Sequence, residues 1–125
     1  MKEFRVTLTH KAGELARLAS LMAEAGVNLK SMAGVAEGNK AFLCLVGDDV
    51  AALRTALESA RIPFQEHELL SELLENEPGQ IADLCNRMAA AGVNIDSLYI
   101  LGRDEPLIEV GFTVDDAKKA KKALE

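Results

Sequence analysis

Two sets of polar, glycine and asparagine residues recur at one spacing: His10, Gly13 and Asn28, then Asn76, Gly79 and Asn94, each 66 positions on. The glycines stand in "THKAGEL" and "ENEPGQI", ahead of apolar residues at helical spacing, where the first N–H groups of a helix have no internal partner. A residue without a Cβ lets another group come close to those donors, and a small carboxylate suits them. His10 and Asn76, just ahead of the turn, can hydrogen-bond a ligand, and so can the amides of Asn28 and Asn94. Each residue also has a plainer reading. The glycines, with Pro78 suited to a first helical position, make a strand-to-helix turn, His10 and Asn76 are exposed loop residues, and the asparagines cap nearby backbone. No nucleophile, base and orienting group occur together, no metal-ligand spacing appears, and the two histidines, His10 and His67, lie far apart in the chain. Neither catalytic residues nor a metal or cofactor is expected.

The elements that position these residues are themselves repeated. Residues 10 to 31 laid on 76 to 97 without gaps match at ten of 22 positions, including "AGVN" at Ala25 and again at Ala91, where chance would give roughly one or two. A one-residue shift then brings Asp48-Asp49 onto Asp115-Asp116. The chain is a tandem duplication. In copy one, Phe4, Val6 and Leu8 alternate with Arg5, Thr7 and Thr9, as in a strand with one buried face. Leu15, Leu18, Ala19 and Met22 follow at i, i+3, i+4 and i+7, and Gly26 stands where a left-handed residue would end a helix. Copy two repeats this with Ile81, Leu84, Cys85, Met88 and Gly92. A strand from Val27 or Val93, turn residues "EGNK" or "RDEP", and a strand "AFLCLV" or "LIEVGFTV" make a hairpin in each copy. The aspartate pairs are good N-caps for a second helix.

Copy one closes with a strand at Phe64 to His67, giving β-α-β-β-α-β, an antiparallel sheet covered on one face by helices. Nothing in "FQEHELLSELLE" marks a turn, so one long strand is predicted to run from copy one into copy two, in preference to the helix that its Leu, Glu and Gln content favours. Copy two is expected to lack its last strand. The expected class is therefore α+β, with two ferredoxin-like modules at 1–67 and 68–125.

Composition narrows the function. A chain 49% apolar and 27% charged can bury a core. With net charge −6, pI near 5.0, four Phe, one Tyr and no Trp, nucleic acid is an unsuitable partner. No signal-peptide pattern or membrane-spanning apolar run is seen, so a cytoplasmic protein without a membrane partner is expected. Cys44 and Cys85 read as buried, reduced thiols.

With "NEPGQIADL", nine further residues and "AGVNI", the sequence resembles the signature of the ACT domain, the amino-acid-sensing module of enzymes such as phosphoglycerate dehydrogenase and aspartokinase. The resemblance covers nearly the whole chain as two modules. It implies a free amino acid bound at interfaces between paired modules, with polar contacts from Asn76 and Asn94 in copy two and from His10 and Asn28 in copy one. It also implies that N–H groups near Gly13-Glu14-Leu15 and Gly79-Gln80-Ile81 face the ligand carboxylate. Copy one has "HKAG" where the signature has "NxPG", so copy two is expected to hold the fuller site.

The leading expectation is a non-enzymatic regulatory protein that binds a free amino acid. The alternative is a regulatory interaction subunit docked on a metabolic enzyme, with any ligand secondary. A homodimer is also expected, because the missing last strand would leave a leucine-rich edge near Leu69 to Leu74 unpaired.

Overall fold

A computed structural model describes residues 1–125. Its elements run β1 (Lys2–Thr9), α1 (Glu14–Glu24), β2 (Leu29–Glu37), β3 (Lys40–Gly47), α2 (Val50–Ser59), β4 (Gln65–Glu68), β5 (Leu70–Glu75), α3 (Gln80–Ala90), β6 (Ile95–Asp104), β7 (Leu107–Val114) and α4 (Ala117–Leu124). They fall into two units, Met1–His67 and Glu68–Glu125.

In the first unit the sheet order is β2-β3-β1-β4. Strand β1 runs antiparallel to β3, pairing Phe4 with Leu45 and Val6 with Leu43. Those four side chains and Leu8 point to one face, where they pack with Leu18 and Met22 of α1 and Leu53 and Leu57 of α2. The alternation read along β1 has one exception. Glu3, on the other face, is fully buried, and its Oε1 accepts from Arg5 Nε at 2.9 Å and Nη2 at 2.6 Å. A buried carboxylate requires such a partner.

In the second unit the order is β5-β7-β6, and no strand follows α4. Leu70 and Leu74 of β5 join Ile108, Val110 and Phe112 of β7, Leu84 and Met88 of α3 and Ala120 of α4 in its core. Both units are thus antiparallel sheets with helices on one face, an α+β arrangement in which the second lacks the closing strand of the first.

The single long strand expected between Phe64 and Glu75 is two strands. β4 belongs to the first sheet and β5 to the second, and the pairing breaks at Leu69. Leu69 and Leu70 are both buried. Adjacent residues of a regular strand point to opposite faces, so the alternation changes phase at this step. No helix is long and apolar enough to cross a membrane.

Candidate functional site

The two glycine turns are built alike. Gly13 has φ 93° and ψ −18°, Gly79 has φ 92° and ψ −16°, and each precedes the first residue of a helix. Glu14 N–H donates to the Lys11 carbonyl at 3.3 Å, and Gln80 N–H to that of Glu77 at 3.4 Å. A carbonyl-to-i+3 bond with positive φ at the third residue defines a type II turn, in which Pro is favoured at the second position and Gly at the third. Pro78 therefore serves as the second residue of a turn, two places ahead of α3, and is not its first helical residue. Ala12 holds the same place in the first unit.

Beyond the turn the helix starts stay open. Arg17 N–H reaches Gly13 O and Asp83 N–H reaches Gly79 O, both at 2.9 Å, which leaves the N–H groups of Leu15 and Ala16, and of Ile81 and Ala82, without partners in the chain. Neither α1 nor α3 has a side-chain cap. In contrast, α2 and α4 are capped by Asp49 and Asp116, which accept from Ala52 N–H and Lys119 N–H at 3.1 Å.

A cleft of about 450 Å³ opens at the start of α1. His10, Lys11, Gly13, Glu14 and Leu15 form one wall, and Met32, Gly34 and Val35 of β2 another, with Leu8, Ala41 and Leu43 behind. Four of the residues singled out in the sequence, His10, Gly13, Glu14 and Leu15, are thereby brought together. The Glu14 carboxylate is paired with Arg17 at 3.3 Å.

Asn76, Gly79, Gln80 and Ile81 are likewise adjacent around the α3 turn, but Asn76 is tied into its own unit. Its Nδ2 donates to Glu105 Oε1 at 3.2 Å, and its backbone N–H to Pro106 O at 2.8 Å. The backbone N–H of His10 makes the matching bond to Asn39 O at 2.7 Å, and His10 lines the cleft.

Asn28 and Asn94 lie at the other end of the modules. Helix α1 has 11 residues, about 16 Å, and Asn28 follows its C-terminus while the cleft is at its start. The amide of Asn28 donates to Asp48 Oδ2, and the Asp48 N–H returns to Asn28 O at 3.1 Å. Asn94 repeats this: Nδ2 to Asp115 Oδ2 at 3.1 Å, N–H to Asp115 Oδ1 at 3.0 Å, and Asp115 N–H to Asn94 O at 3.1 Å. Of each aspartate pair, the first residue clips this asparagine and the second caps a helix. The Asn94 backbone donor, followed by its side-chain amide, lowers the Asp115 pKa. Within one module, then, the asparagine does not reach the cleft.

Three features were not anticipated from the sequence. One is the Glu3–Arg5 pair, beside which burial, then Glu3, pushes the Cys44 thiol up and away from a reactive thiolate, against a lowering by Arg5. Another is the exposure of the cysteines: Cys44 and Cys85 are free but half-buried. The third is the difference between Gly34 and Ile100. Gly34 pairs with Leu43 and Ile100 with Val110, so the two occupy equivalent places, 66 positions apart like the rest of the repeat.

Together the two units have the fold of tandem ACT domains. No protein-family model matches the sequence, and no curated protein does. Solved structures match over nearly the whole chain. A protein from Bacteroides thetaiotaomicron superposes with a TM-score of 0.88 at 20% identity, covering 98% of this chain and 85% of that one. The regulatory subunit of aspartate kinase from Thermus thermophilus, in a ligand-free form, gives 0.68 at 16% identity, with 98% and 89% covered. The corresponding subunit from Thermus flavus gives 0.61 at 19%, with 99% and 92% covered. At these identities the likeness establishes the fold.

Proposed function

We propose that this chain is a non-enzymatic regulatory protein that binds a free amino acid at the start of α1 in its first unit. The observation that carries this reading is the cleft itself. It places an uncapped helix start, with the N–H groups of Leu15 and Ala16 available to a carboxylate, beside His10 and a largely apolar wall. An amino acid presents a carboxylate and a side chain to such a site. The fold shared with aspartate kinase regulatory subunits is in keeping with a regulatory role.

We further propose that the chain works as a homodimer. Strand β5 is an edge of its sheet, and Leu73 on it is 64% exposed. Antiparallel pairing of β5 with its copy about a two-fold axis at Leu73 sets leucine against leucine and Ser71 against Glu75. An axis at Glu72 would oppose two carboxylates. The same edge would serve the alternative role of docking on a metabolic enzyme.

A thermal-shift series with the twenty amino acids tests the binding role. Ligand at about a hundred times its dissociation constant should add ~2.7 kcal/mol of stability, a rise of several degrees. If none of the twenty moves the melt at millimolar concentration, the interaction-subunit reading replaces this one.

A further inference from the structure

We infer that the first unit selects an amino acid with an aliphatic side chain and that the chain binds one such ligand, because Ile100 fills the equivalent place in the second unit. The inference rests on the amino-acid reading above and adds its selectivity and stoichiometry.

Apolar side chains around the cleft are left unburied. Leu15 and Met32 are each 47% exposed. Half-exposed apolar residues facing one concavity favour an apolar occupant, since filling it removes their surface from water. Of the charged groups on the wall, Glu14 is already paired with Arg17, and Lys11 is exposed, where water and salt screen its pull on a charged side chain.

The two copies supply a second argument. At equivalent places on the edge strands of the two sheets stand Gly34, opposite Leu43, and Ile100, opposite Val110. A Cβ at Gly34 would fall 2.5 Å from Leu43 Cδ2, so the leucine side chain lies over the glycine and forms the floor there. In the second unit a branched aliphatic group is attached to the chain at this position and is 38% exposed. A bound leucine or isoleucine, its carboxylate at the N–H groups of Leu15 and Ala16, would rest its side chain on Leu43 and against Leu15 and Met32.

Calorimetric titration of the intact chain with leucine, isoleucine, glycine, lysine and aspartate tests this. Leucine or isoleucine should bind at least tenfold more tightly than the other three, with one site per chain. Gly34→Ile should abolish that binding. Because it also crowds Leu43, Met32→Glu provides a second variant at a half-exposed position, and it should weaken leucine binding at least tenfold with little change in the unliganded melt. Tightest binding of lysine or aspartate, two equal sites per chain, or unchanged leucine affinity in Met32→Glu would overturn the inference while leaving amino-acid binding in place. If none of the twenty amino acids binds, the underlying reading falls and the inference falls with it.

Discussion

Replacing Ala12 by proline should stabilise the first unit. Ala12 occupies the second position of a type II turn, as shown by the Glu14-to-Lys11 bond and by Gly13 at φ 93°, and Pro78 already fills the matching position in the second unit. The N–H of Ala12 has no partner in the chain, and its side chain is exposed, so proline neither removes a hydrogen bond nor meets a packed neighbour. What remains is the smaller entropy of the unfolded chain, about 0.4 to 1 kcal/mol. For a domain of this size each kcal/mol is worth roughly 4 to 8 °C, so the transition of the first unit should rise by about 2 to 8 °C. Circular dichroism melts of Ala12→Pro beside the parent measure this, and Pro78→Ala should lose a similar amount in the second unit. A lower melt for Ala12→Pro would refute the turn assignment, because it would mean that the local backbone or the Ala12 N–H serves some other arrangement.

Four other outcomes follow from the geometry. Gly13→Ala should cost roughly 1 kcal/mol, since a Cβ at positive φ costs about 1 to 2 kcal/mol and reduced unfolded-state freedom offsets part of it, and the melt should fall although no atom crowds the new methyl. Asn94→Ala should lower the melt and leave amino-acid affinity unchanged, because its amide is engaged by Asp115; unchanged stability with tenfold weaker binding would restore the asparagine to the ligand site. Asp115 should titrate below the ordinary aspartate range, so its contribution is present above that range and is lost as pH falls through the lowered folded value; a carboxyl titration by NMR giving an ordinary value would contradict this. Leu73→Lys should convert a dimer at tens of micromolar to a monomer in light scattering, and a dimer that persists would exclude the β5 edge.

Local chemistry was legible in the sequence where a short stretch decides the conformation. Gly26 and Gly92 were read as helix stops and have φ 70° and 72°, and Asp49 and Asp116 were read as caps and do cap their helices. The alternation of Phe4, Val6 and Leu8 identified the buried face of β1. What depends on distant partners was not legible. The carboxylates that occupy Asn28 and Asn94 are 20 and 21 residues away, so the shared "AGVN" gave no sign that its amide closes a clip. The break at Leu69 follows from strands joining different sheets, which no turn residue announces. Gly34 and Ile100 carried a signal in the 66-residue offset, but only the strand register shows that they stand at equivalent places on the two edge strands. Comparison of "HKAG" with "NEPG" favoured copy two as the fuller site, and nothing in it announced that the Asn76 side chain is bonded to Glu105 within its own unit.

Amide NMR spectra of the intact, nitrogen-15-labelled chain titrated with leucine show whether a free amino acid binds at the start of α1. Saturable shifts largest at Gly13, Leu15 and Ala16, without comparable shifts at Ile81 and Ala82, are the predicted result. No saturable shift for any of the twenty amino acids, or shifts confined to the Asn94 and Asp115 end of the second unit, would contradict the account.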